Sequence, residues 1–192
     1  MGDPAVGADA AVEFFPALRD LGLVRHGFIG RIPGIDVATD RAEALARLDR
    51  VHRELRSELG MGARPFATAE QVHGDKVALI DQPLPADRCF AATDGLLTNQ
   101  SGMSLGIYVA DCCAVFLVDP VTRSIGLVHS GKKGTALSIV KKAIETMRTN
   151  FGTRPSNLVV QLSPCIRPPH YEVDFAAEIV RQARAAGVTQ VH

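Results

Sequence analysis

From Phe66 to Val128 the chain is a succession of strand-length apolar runs with no helix-length period among them. That block limits the fold more than any other feature. Phe66 to Val72, Lys76 to Ile80, Asp94 to Thr98, Ser104 to Val109, Ala114 to Val118 and Ser124 to Val128 are separated by Gly, Asp, Asn or Pro turns. Strands in such a block must pair largely with one another. They do not alternate one for one with helices, which argues against a doubly wound parallel sheet. Helical periods lie outside the block. Asp40 to Leu59 carries Leu45, Leu48, Val51, Leu55 and Leu59 on one stripe, with Thr39 or Asp40 as cap and Gly60 as stop. Gly134 to Phe151, with Leu137, Val140, Ile144, Met147 and Phe151 as its stripe, predicts a second helix, and Phe175 to Ala186 a third. Leu23 to Ile29 predicts a first strand, Leu158 to Leu162 a buried one and Val188 to Val191 a short last one. The fold class expected is α/β in the α+β sense, a layered sandwich in a single domain.

At 192 residues with 46% hydrophobic and 22% charged residues, one core of ordinary composition is expected. Lys+Arg and Asp+Glu both number 21. This balance argues against nucleic acid as a partner held by bulk charge. No apolar run reaches the length of about 18 residues that a membrane span needs. The first residues lack a basic segment followed by an apolar one, so residues 1–20 are expected to be a flexible tail and not a secretory leader. The four cysteines include no Cys-x-x-Cys pair, in keeping with reduced thiols and a cytoplasmic location.

Three residues share one context. His73, Cys112 and His129 each stand where an apolar run meets a glycine or a sharp polar turn: Gln71-Val72-His73-Gly74, Ala110-Asp111-Cys112 and Val128-His129-Ser130-Gly131. A strand end fixes the backbone while the adjoining loop opens to solvent. Two imidazoles and a thiolate suit zinc, and also copper, and three protein ligands leave a fourth position for water or substrate. The spacing is too wide to specify a metal site by itself.

The segments His26 to Arg31, Gln71 to Val77, Thr93 to Thr98, Ala110 to Cys112 and His129 to Gly134 resemble, in order and spacing, the laccase-like multicopper polyphenol oxidoreductase family, which also includes purine nucleoside phosphorylases and peptidoglycan editing factors. Pro164-Cys165-Ile166 and Tyr171-Glu172-Val173 resemble a further family block. The resemblance implies an αββα-type sandwich over residues 21–192. It also implies a metal site and catalytic centre at His73, Cys112 and His129. The implied activity is phosphorolysis of adenosine, inosine or methylthioadenosine, with adenosine deamination, using zinc or alternatively copper. The implied partners are a small nucleoside and phosphate. Copper-dependent polyphenol oxidation, an editing amidase with Cys112 as nucleophile, and a non-catalytic metal-binding module are the alternatives.

The sequence departs from the family pattern in places. The family's His-Ala-Gly-Trp-Arg-Gly is His129-Ser130-Gly131-Lys132-Lys133-Gly134 here. The aromatic is lost, and Lys133 keeps a charge without the bidentate fork of arginine. The chain also stops before the family's usual C-terminal end. Arg31 and Lys133, with Lys132, are the expected cations for phosphate, and Asp94 and Asp111 the candidate acid–base groups for deamination.

Overall fold

A computed structural model describes residues 12–192. The chain divides into two compact units, one ending at Arg64 and one running from Pro65 to His192. The α/β class expected from the sequence is the class observed, with strands and helices in both units.

In the N-terminal unit, β1 (Val12–Glu13) pairs antiparallel with β2 (Phe28–Ile29), and a short helix α1 (Pro16–Arg19) lies between them in the chain. Residues 1–11 of the expected tail lie outside the described residues. From Val12 onward that tail is regular structure, because Pro16 opens a helical turn and Phe15 and Leu18 are buried. The amide of Phe15 donates to His26 Nε2 at 2.8 Å, and the two rings stack. The first strand is much shorter than Leu23 to Ile29, since residues 24–27 make no ladder. Helix α2 (Arg41–Glu58) follows the period of its leucines. Asp40 caps it by accepting from the amides of Ala42 and Glu43. At its other end Arg25 donates to the Leu59 carbonyl, and Gly60 turns away at φ 69°.

The larger unit holds two sheets. Strands β3 (Phe66–Ala69), β5 (Arg88–Phe90) and β7 (Ser104–Gly106) form a parallel sheet with β3 in the middle. The second sheet has six strands in the order β11-β10-β8-β9-β6-β4. These are β4 (Val77–Ile80), β6 (Gly95–Thr98), β8 (Cys113–Asp119), β9 (Ser124–Ser130), β10 (Val159–Leu162) and β11 (Gln190–Val191). Its four central strands pair antiparallel, and both edge strands pair parallel. Strands β8 and β9 form a hairpin whose turn is tied by Asp119, which accepts from the amides of Val121 and Thr122.

One face of the six-stranded sheet carries the main core. Val115, Leu117, Val128 and Val160 meet Val140, Ala143, Ile144 and Met147 of α4 (Ile139–Phe151) and Ala176, Ile179 and Ala183 of α5 (Phe175–Ala185). Each large aliphatic side chain buried there contributes about 1.5–3 kcal/mol. On the other face Leu96 and Ile80 pack with Ala67 and Ala69 of the three-stranded sheet and with Met103. Helix, sheet and sheet therefore stack as three layers of the expected sandwich within this unit, while α2 belongs to the N-terminal unit. The expected helix from Gly134 to Phe151 is two helices, α3 (Lys132–Ala136) and α4. The break falls at Leu137 and Ser138, where Ser138 takes a left-handed backbone and Leu137 is 40% exposed. Gln182 of α5 donates to the Thr135 carbonyl at the end of α3, at 2.9 Å. Among the described residues no helix is long and apolar enough to cross a membrane.

Candidate metal centre

The register of the central strands dictates the site. In the β8–β9 ladder Cys113 pairs with Ser130 and Ala114 with His129. One step further, Cys112 stands opposite Gly131. Side chains alternate across a strand, so Cys112, Ala114 and His129 share one face while Cys113 turns to the other. Cys113 is accordingly buried in the main core, and Cys112 is half-buried beside the three-stranded sheet. A methyl group at position 131 would lie 2.3 Å from Cys112 Sγ, so only glycine leaves room for the thiol. In the β6–β9 ladder Gly95 pairs with Val128. One step further, Asp94 stands opposite His129, whose amide donates to the Asp94 carbonyl at 2.7 Å.

His73 comes from the other sheet. It lies in the turn between β3 and β4 with a left-handed backbone, φ 60°. That turn wraps the Asp94 carboxylate. Oδ1 accepts from the His73 amide at 2.9 Å, and Oδ2 accepts from Gly74 at 2.8 Å and Val72 at 3.3 Å. The same Oδ1 lies 2.8 Å from His129 Nδ1. Asp94 is fully buried. Burial pushes its carboxyl up, but the bonds from His129, Gly74, Val72 and His73 outweigh that and hold it below the usual carboxylate range.

The result is a cluster in which one ligand atom each of His73, Cys112 and His129 lies within 4.8 Å of the others. The imidazoles of His73 and His129 meet edge to face with centroids 4.8 Å apart. His73 is exposed and His129 only 3% exposed, so the group opens to solvent on the His73 side. In a tetrahedral zinc site with imidazole and thiolate ligands, donor atoms sit about 3.3–3.6 Å from one another. The group's widest separation, 4.8 Å, exceeds that spacing by about 1.2–1.5 Å, and its donors are the soft and borderline kind that zinc and copper take. The three residues fit a metal ion. Burial raises the Cys112 thiol above its usual range, and the carboxylates of Asp111 and Asp94 and the neighbouring Cys165 add to the shift.

Gln71 supplies a link that the sequence did not suggest. Its side-chain amide donates to the Tyr108 carbonyl at 2.6 Å and its oxygen accepts from the Tyr108 amide at 3.1 Å. One side chain thus imitates a strand partner and pins the segment that leads into Cys112 beside the turn that carries His73.

The other expected residues lie elsewhere. Lys133 is exposed in the first turn of α3, directly after the β9 end that carries His129. Lys132 beside it is paired with Glu172. Arg31 belongs to the N-terminal unit, exposed in the loop after β2. Asp111 is exposed. Asp94, expected as a candidate acid–base group, is a buried acceptor that caps the 72–74 turn with both oxygens occupied.

Comparison with known proteins places this arrangement. Residues 25–191 match the family model described as multi-copper polyphenol oxidoreductase laccase. A protein of Streptomyces griseus named purine nucleoside phosphorylase ORF3 is 34% identical over 145 residues, covering 74% of this chain and 57% of that protein. A purine nucleoside phosphorylase of Deinococcus radiodurans is 33% identical over 181 residues, covering 90% of this chain and 68% of that protein. The chain thus spans between about half and two thirds of the length of these curated relatives. Among solved structures, YlmD from Geobacillus stearothermophilus shares the fold with a TM-score of 0.67 at 24% identity, over 83% of this chain and 72% of that one. With matching blocks through most of its length and relatives at a third identity, the chain belongs to the multi-copper polyphenol oxidoreductase laccase family, whose curated members here bear the name purine nucleoside phosphorylase.

Proposed function

We propose that the chain is a zinc-dependent purine nucleoside phosphorylase acting on adenosine, inosine or methylthioadenosine, with adenosine deaminase activity at the same centre. The observation that carries this reading is the convergence of His73 from a turn, Cys112 from the stretch before β8 and His129 from β9, in a chain a third identical to named phosphorylases. When bound, zinc would supply Lewis acidity at an open coordination position.

The chain's own residues do the rest. His129 is held rigidly by the strand ladder and by Asp94, and His73 presents its ring at the solvent-facing side. Within the larger unit, exposed Lys133 is the cation this reading assigns to phosphate. Lys132 is a poorer candidate because Glu172 already engages its charge. For deamination, Asp94 is unsuited to carry protons, since it accepts hydrogen bonds at both oxygens and is sealed from solvent. Exposed Asp111, beside Cys112, is the remaining carboxylate.

The test is metal quantitation on freshly purified protein, followed by a nucleoside screen with and without phosphate. About one zinc per chain, with free base released only when phosphate is present, is the expected result. Inosine formed from adenosine without phosphate identifies the deaminase activity. Neither base nor inosine from any of the three nucleosides would overturn the reading in favour of a binding module.

The family's description supports a second reading, a copper-dependent phenol oxidase at the same three residues. The chain has six histidines and no His-x-His pair, which is poor provision for a cluster of several coppers. An anaerobic assay separates the two, because oxidase turnover requires dioxygen and phosphorolysis does not.

A further inference from the structure

We propose that Asp94 is a positioning residue shared by both imidazoles of the site. Its carboxylate selects the Nδ1–H tautomer of His129, so that Nε2 is the ring nitrogen bearing the lone pair for the metal, and sets the backbone that presents His73. The metal half of this statement rests on the zinc reading above; the positioning half rests on hydrogen bonds alone.

Counting donors and acceptors forces the assignment. The carboxylate meets the amides of Val72, His73 and Gly74 and the Nδ1 of His129. Backbone amides can only donate, so both oxygens must accept. An ionised carboxylate has no proton to give, so at Oδ1 the imidazole must donate as well. That fixes the proton of neutral His129 on Nδ1 and the lone pair on Nε2. The same carboxylate reaches His73 through the main chain. With the His73 amide and its two neighbours bound to Asp94, the left-handed turn at φ 60° has a fixed anchor. A non-glycine residue in that conformation needs such support. One buried side chain therefore orients one imidazole by its ring and the other by its backbone. It can do so because it stands opposite His129 in the β6–β9 ladder and beneath the 72–74 turn.

Asparagine at position 94 keeps the shape but cannot meet four donors. If its NH2 takes the place of Oδ2, it faces the amides of Gly74 and Val72. If it takes the place of Oδ1, it faces the His73 amide and can satisfy His129 only by accepting nothing and donating to Nδ1. The imidazole proton then moves to Nε2, and the ligating nitrogen is lost.

The experiment has two parts. In the metal-free wild-type protein, long-range proton–nitrogen NMR of His129 is expected to show a protonated Nδ1 and an unprotonated Nε2. In Asp94→Asn the tautomer is expected to switch or the ring to become mobile, and zinc affinity, measured by competition with a chromophoric chelator, to fall by about 10–100-fold. A protonated Nε2 in the wild type would overturn the proposal. So would a folded Asp94→Asn protein with the wild-type tautomer and wild-type zinc affinity. Should the variant fail to fold, the wild-type tautomer decides. A wild-type protein that binds no zinc, yet loses the Nδ1–H tautomer on substitution, would refute the zinc reading and uphold the positioning role.

Discussion

Gly131 faces Cys112 across the β8–β9 ladder, and the thiol occupies the space a side chain at 131 would need. Alanine is compatible with the extended backbone there, φ −109°, so the fold survives Gly131→Ala. The cost falls on Cys112, whose Sγ must rotate out of the group it shares with the two imidazoles. Zinc affinity is expected to fall about tenfold or more, with an unchanged circular dichroism spectrum; the check is zinc per chain after dialysis. At this scale the sequence was informative about the donors. His73, Cys112 and His129 each announced themselves by a strand-to-turn context. Asp94 was visible as a candidate acid–base group at the start of a strand, but not as the partner of His129. That relation depends on a register between strands 35 positions apart, which no local pattern encodes. Gln71 was hidden for the same reason, since its partner is the main chain of Tyr108.

The segment that leads into Cys112 is a short strand, β7, followed by an irregular stretch from residue 107 to 112, where a strand as far as Val109 was expected. Two hydrogen bonds from Gln71 hold this stretch at Tyr108, and the Ile166 amide donates to the Asp111 carbonyl near its end at 2.9 Å. Gln71→Ala leaves the Tyr108 amide and carbonyl without that partner. Each such loss costs about 1–3 kcal/mol where the group is shielded from water. Tyr108 is only half-buried, so water takes over part of both losses; a total of about 1–3 kcal/mol by urea denaturation is expected, together with faster amide exchange at residues 107–112. Unchanged exchange there would show that the clamp does not hold the segment. Helices were largely legible at this scale because their period is local: α2 and α5 lie within a residue or two of their expected bounds. The helix from Gly134 was not, because Ser138 adopts a conformation that nothing in its neighbours signals.

At the scale of the whole molecule, the order of strands was beyond reach. The sequence implied that they pair among themselves, but not that β3 sits between β5 and β7, or that both edges of the large sheet pair parallel. These pairings join distant segments, and only tertiary packing chooses among them. The site lies across the result: His73 follows a strand of the small sheet, while Cys112 and His129 lie on the large one. A metal bound by all three ties the two sheets together. Any ligand that binds only the folded state stabilises it, by about 2.7 kcal/mol when free ligand is 100 times its Kd. Stripping the metal with a chelator is therefore expected to lower the Tm in calorimetry, and restoring zinc to recover it. A Tm indifferent to both would contradict a metal shared between the sheets.

The hairpin described above has a further bearing, on the order in which the molecule is assembled. Cys112 and His129 flank the open mouth of a hairpin closed by a four-residue turn, so the contacts that bring them side by side are local in sequence. His73 joins only when the two sheets close on each other. A nascent chain with the hairpin made and the sheets apart offers an ion two donors and a loose grip; the finished molecule offers three. For a chain that takes zinc as proposed, tightness of retention would gauge how far the two sheets have closed, with the donor nearest the surface completing the grip.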